Sequence, residues 1–142
     1  MSDFLREPEP LAPGKCRGIA FLLRGLGVIS LGALVAVAMP HAWMERIHER
    51  IGLGSLPELP MVAYLSRSLS LFYAWIGVLV IWTSFDVTRY LPWIRIFAVS
   101  GLVAGALQTA IDYLAPVPLW WLIAEGSFLF LYFGALAWLT RK

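Results

Sequence analysis

Residues 61–85, MVAYLSRSLSLFYAWIGVLVIWTSF, form an apolar run with one cation, Arg67, set inside it. A run of this length is enough to cross a hydrocarbon core about 30 Å thick. An arginine placed in hydrocarbon needs a partner or water, so the rest of the fold must answer to Arg67. Three further runs, 18–40, 92–114 and 119–140, have comparable length and character. Of the 142 residues, 60% are hydrophobic and 14% charged. Soluble domains run at about 45–50% apolar and about 25% charged. A chain this small has no interior able to hide so much apolar surface, so lipid must act as its solvent. The expected fold is all-α: an integral membrane four-helix bundle, residues 18–142, behind an N-terminal tail, residues 1–17, rich in proline and charge. Four crossings with short loops leave no room for a soluble catalytic module.

The first crossing, 18–40, carries Gly18, Gly25 and Gly32 at seven-residue intervals, which predicts a face for close packing. Arg24 lies near its entry, where it reaches the headgroups by snorkelling or pairs with Asp86 or a lipid phosphate. Residues 41–54, HAWMERIHERIGLG, place Trp43, Met44, Ile47 and Ile51 on one side and Glu45, His48, Glu49 and Arg50 largely on the other. This predicts a short amphipathic helix lying on the membrane surface between helices one and two. In the second crossing Ser66, Ser70, Tyr73, Gly77, Val80 and Ser84 repeat at helical spacing and predict the face turned toward the bundle. The third, 92–114, aligns Gly101, Gly105, Gln108 and Asp112. The fourth, 119–140, aligns Trp121, Glu125, Phe128, Tyr132 and Ala135. Lys15, Arg17, Arg89, Arg95, Arg141 and Lys142 fall on one side, with only Arg46 and Arg50 in the loops of the other. The positive-inside rule then makes both termini cytoplasmic.

At 1.5 Å per residue, Arg67, Gln108 and Glu125 all lie roughly 10 Å below the outer surface, with Asp112 about one turn above them. These residues predict a buried polar cluster in the outer half of the membrane, centred on an Arg67–Glu125 ion pair. Gln108 and Asp112 complete its hydrogen bonds, and Ser70 and Tyr73 border it. Guanidinium and carboxylate suit a two-pronged hydrogen bond. Such a cluster serves either to fix helix register or as a ligand or proton site.

Other chemistries find little support. A net charge of +2 gives no basic surface for nucleic acid, and one cysteine, Cys16, allows no internal disulfide or thiolate metal site. No histidine falls within a crossing, so there is no base for a serine nucleophile and no facing pair for a b-type haem. His41, Glu45 and His48 share one side of the surface helix. They read as a solvated polar face, since a metal would need a further ligand such as Glu58. No catalytic residues, no metal site and no particular cofactor are assigned. Tryptophans near helix ends, Trp43, Trp93, Trp120 and Trp121, suit the membrane interface.

The segment RSLSLFYA in helix two and the pattern D-x₅-PLWWLIAEG from Asp112 to Gly126 resemble the DoxX-like group of small four-helix bacterial membrane proteins. The resemblance implies a bacterial cytoplasmic membrane location. For some members it implies a role as a membrane subunit of quinone-linked oxidoreductases. The expected function is non-enzymatic: an accessory subunit or a binder of a lipophilic small molecule, in contact with the bilayer and a partner membrane subunit or further copies of itself. The alternatives are a proton-linked or small-solute carrier acting as an oligomer, and a quinone-binding subunit of a redox enzyme.

Overall fold

The structure, a computed structural model, describes residues 11–115 and 117–141. Most of the expected tail, residues 1–10, lies outside the described residues. Every regular element among those described is a helix: α1 Pro13–Gly32, α2 Leu34–Ala38, α3 His41–Arg50, α4 Pro60–Thr83, α5 Val87–Leu114 and α6 Leu119–Leu139. The continuous α1–α2 unit, α4, α5 and α6 are each long and apolar enough to cross a membrane. Their outward faces carry large apolar side chains, with Phe21 77% and Leu131 74% exposed, which water would not tolerate and lipid does. The chain is an all-α integral membrane protein.

Local chemistry sets the helix ends, and at two of them it moves the expected boundary. Pro13 opens α1, five residues ahead of the expected start at 18. Its missing N–H is harmless at a first helical position, and the Ala12 carbonyl accepts from Lys15 and Cys16. Asp86 starts α5 early, at Val87 rather than 92, by accepting the Arg89 backbone N–H at 3.0 Å. Pro92 therefore lies inside the helix. It leaves only the Thr88 carbonyl without its helical donor, and Thr88 is exposed. The surface helix α3 ends in a Schellman turn: Gly52 adopts φ 79°, its N–H reaches the Glu49 carbonyl, and the Leu53 N–H reaches that of His48.

The four crossings pack as two pairs. α1 and α2 lie along α4, and α5 lies along α6. Where α1 meets α4, Gly27 and Gly77 oppose each other. A Cβ on Gly77 would lie 2.8 Å from the Gly27 carbonyl oxygen. The expected glycine face is thereby corrected. Gly18 does pack, against Leu139, but Gly25 and Gly32 face open space. On α4 the expected seam holds at Gly77, Val80 and Ser84, all buried, and at half-buried Ser66 and Ser70. Tyr73 is exposed and Ala74 takes its place. In the other pair, Gly101 receives the Phe133 ring and Gly105 receives Leu129.

The pairs join mainly at the end where the chain begins and finishes, called the terminal end below. Ile19, Leu23, Val80, Ile94, Ala98 and Leu136 form the shared core there. Polar ties fasten the same end. Lys15 Nζ donates to the Arg141 carbonyl at 2.8 Å and Arg95 Nε to the Thr140 carbonyl at 2.9 Å. Two cations thus cover the carbonyls at the end of α6, where the helix dipole favours positive charge. Deeper in the bundle, the Tyr132 hydroxyl donates to the Leu22 carbonyl at 3.0 Å. Arg24 donates through Nε to Ser84 Oγ at 3.2 Å and lies over the Phe85 ring. It does not pair with Asp86, which is committed to its cap.

Candidate functional site

The expected polar layer divides in two. Glu125 stands on α6 one turn after Trp121, whose Nε1 donates to Glu125 Oε2 at 2.6 Å. Gln108, on α5, donates through Nε2 to Asp112 Oδ1 at 3.0 Å. Asp112 and Glu125 stand on α5 and α6, which pack along each other. Gly126 lets the two helices approach here, since a Cβ there would stand 3.1 Å from Thr109 Oγ1 on α5. Asp112 is only 5% exposed, and its Oδ2 has no hydrogen-bond partner among the described residues. Gln108 and Asp112 thus form one hydrogen-bonded pair on α5, and Trp121 and Glu125 another on α6.

Arg67 belongs to neither. It is exposed on α4, and α4 is not a packing partner of α6. The hydrogen bond that Glu125 accepts comes from Trp121 on its own helix. The expected Arg67–Glu125 ion pair is not formed. Equal depth placed both residues at one level, but α4 turns its buried face to α1 and leaves Arg67 on the outside. Ser70 and Tyr73, on the same helix, are likewise apart from the carboxyl groups: Ser70 follows the Ala74–Gly77 face and Tyr73 points outward. Among the described residues no three His, Cys, Asp or Glu side chains gather as a metal site.

A second feature lies between α4 and α5. These helices are neighbours in the chain, joined through residues 84–86, yet they touch only slightly along their lengths. Each is committed elsewhere: Gly77 holds α4 to α1, and Gly101 and Gly105 hold α5 to α6. Between them runs a groove of about 590 Å³, open on one side. Ligand pockets commonly measure about 300–1,000 Å³. Phe72, Trp75 and Trp82 line it from α4, Tyr90, Trp93 and Phe97 from α5, and Leu23 of α1 lies against it. At its terminal end Trp82 Nε1 donates to the Tyr90 hydroxyl at 3.2 Å, a polar bridge across an otherwise apolar channel. The Arg89 guanidinium stands beside that bridge, 5.7 Å from the centre of the Tyr90 ring.

Reading the tryptophans as interface anchors passed over this groove. Its signal is nonetheless present in the sequence. Residues 72, 75, 79 and 82 and residues 90, 93 and 97 form two large-residue stripes at helical spacing, one on either side of a tight turn. Such stripes also describe ordinary core. What distinguishes them here is that glycine contacts draw both helices toward other partners. No protein-family model, curated protein or solved structure matches this chain.

Proposed function

We propose that the protein binds a lipophilic small molecule in the α4–α5 groove, as a non-enzymatic membrane component. The carrying observation is the groove itself, a channel of about 590 Å³ lined by six aromatic rings on two helices that do not close on each other. Its open side would face the acyl chains, so a ligand dissolved in the bilayer enters laterally without crossing water. Aromatic walls favour a flat ring, which stacks against them at offset or edge-on geometry. The Trp82–Tyr90 bridge supplies a hydroxyl for a polar substituent at one end. A ring-bearing molecule with a hydrocarbon tail, the quinone class included, fits these features best. That reading agrees with the DoxX-like resemblance and with a role beside a partner membrane enzyme.

The distribution of charge supports an orientation. Lys15, Arg17, Arg89, Arg95 and Arg141 gather at the terminal end, against Arg46 and Arg50 on α3. Both termini then face the cytoplasm of a bacterial cell.

The test uses the full chain in a mild detergent and a short-tailed benzoquinone as probe, read by quenching of tryptophan fluorescence. Saturable quenching, weakened at least about tenfold in affinity by Trp75→Ala together with Phe97→Ala, supports the groove; a tenfold loss corresponds to about 1.4 kcal/mol. Quenching that rises linearly without saturation, or that the double variant leaves unchanged, refutes it.

A further inference from the structure

The turn between α4 and α5, residues 84–86, joins two crossings, and its backbone polar groups need water or headgroups around them. It therefore marks a membrane boundary. Arg24 of α1 is tied to this turn. Its Nε donates to Ser84 Oγ at 3.2 Å, and its guanidinium carbon stands 5.4 Å from the centre of the Phe85 ring. Ser84 is 3% exposed and directs its own proton to the Ile81 carbonyl at 2.6 Å, so its hydroxyl oxygen is turned to accept from Arg24. An arginine that only snorkels keeps its head loose among the headgroups. Arg24 is instead held by a hydroxyl and against a ring. The remaining guanidinium N–H groups have no acceptor among the described residues.

Arg24 lines an open cavity of about 490 Å³ between α1 and the turn, distinct from the aromatic groove. Arg17 lines it too, two turns earlier on the same face of α1. Asp86 brings one carboxylate, whose Oδ1 is committed to the Arg89 backbone N–H. Two guanidinium groups against one carboxylate leave positive charge in excess. Val87 and Thr88 of the lining begin the 28-residue helix α5, whose dipole is positive at this end. Phe21 and Phe85, also in the lining, are 77% and 71% exposed, so the cavity opens between apolar side chains that acyl chains can cover.

The chemistry that answers these groups is a phosphate oxyanion, which carries negative charge and several acceptor oxygens suited to the guanidinium fork. Two sources supply it, a phospholipid headgroup and free phosphate. The boundary position and the apolar flanks favour the lipid, as basic pockets between membrane helices do in general. We propose that Arg24 and Arg17 bind the phosphate of an anionic phospholipid in this cavity, with its acyl chains alongside Phe21 and Phe85. Ser84 is a positioning residue, since it orients the Arg24 guanidinium without reaching the ligand itself. A lipid held here bridges α1 and the α4–α5 turn.

Native mass spectrometry of the full chain, titrated with phosphatidylglycerol in a mild detergent, counts bound lipid and gives its affinity. Wild type should hold one phosphatidylglycerol, and phosphatidylcholine, whose ammonium offsets its phosphate, at least about tenfold more weakly. Arg24→Gln should weaken phosphatidylglycerol by at least about tenfold, whereas Arg141→Gln, which removes a charge at the same end but outside the cavity, should stay within about twofold. Asp86→Asn keeps the cap acceptor but removes the opposing charge, and should tighten binding about two- to fivefold. Equal losses in Arg24→Gln and Arg141→Gln would mean diffuse charge attraction and overturn the site. Equal affinity for phosphatidylcholine would overturn it as well. Displacement of the lipid by inorganic phosphate would overturn the lipid source in favour of free phosphate. If Arg24→Gln does not elute as folded protein on size exclusion, Asp86→Asn decides: tighter binding supports the proposal, and unchanged or weaker binding overturns it.

Discussion

Replacing Gly77 by alanine tests the idea that glycine contacts decide which helices pair. A Cβ on Gly77 would stand 2.8 Å from the Gly27 carbonyl oxygen, 3.0 Å from the Ser30 Cβ and 3.1 Å from the Leu31 backbone nitrogen. Two of these three are backbone atoms, which no change of side-chain rotamer can move. Taking the shortest contact from 2.8 Å to 3.4 Å, where ordinary contact begins, requires α1 and α4 to separate by 3.4 − 2.8 = 0.6 Å. Overpacking of this kind costs typically about 1–3 kcal/mol. The same substitution also improves helix propensity by up to about 1 kcal/mol, which partly conceals the effect.

Gly25→Ala is the control, because Gly25 is interior to α1 with nothing within 4 Å of its notional Cβ. Both variants share the propensity gain, so the difference between them isolates the close approach at about 1–3 kcal/mol. Unfolding in mixed micelles of rising SDS fraction, followed by tryptophan fluorescence, measures it. Gly77→Ala should unfold at the lower SDS fraction, and Gly25→Ala at or above that of wild type. If the two variants unfold together, the Gly27–Gly77 crossing does not set the α1–α4 pairing, and the explanation given for the open groove falls with it.

Two further outcomes follow from the same structure. Asp86→Ala removes the cap of α5 and should cost about 1 kcal/mol, with Asp86→Asn nearly neutral, by the same SDS titration. Arg67→Leu should leave stability within about 0.5 kcal/mol of wild type, because the side chain is exposed and unpaired with Glu125. A loss of several kcal/mol in that titration would restore the ion-pair reading.

The four crossings were legible in the sequence because length and apolarity alone decide them. So was much of the α5 face: Gly101 and Gly105 pack against Phe133 and Leu129 of α6, and, one and two turns on, Gln108 bonds to the buried Asp112. Helix starts were less so. Pro92 reads as the edge of a helix, and only the Asp86 cap, six residues before the expected start at 92, carries α5 past it. Gly25 and Gly32 show the same difficulty on α1: their regular spacing drew the eye, while Gly27, outside that series, makes the close contact.

The failure at Arg67 has a different origin. Residue counting fixes depth, because rise per residue is nearly constant in a helix. It does not fix azimuth, the direction in which a side chain leaves the bundle. Arg67 and Glu125 share a depth, but Arg67 would have faced Glu125 only if α4 packed on α6. Azimuth is set by whichever face permits the closest backbone approach, and on α4 that face is the one carrying Ala74 and Gly77. The same choice has two consequences. It turns Arg67 outward, and it holds α4 against α1 so that Phe72, Trp75 and Trp82 look across an open channel at α5. A side chain larger than glycine at position 77 would thus act on both the stability of the α1–α4 pair and the width of the groove.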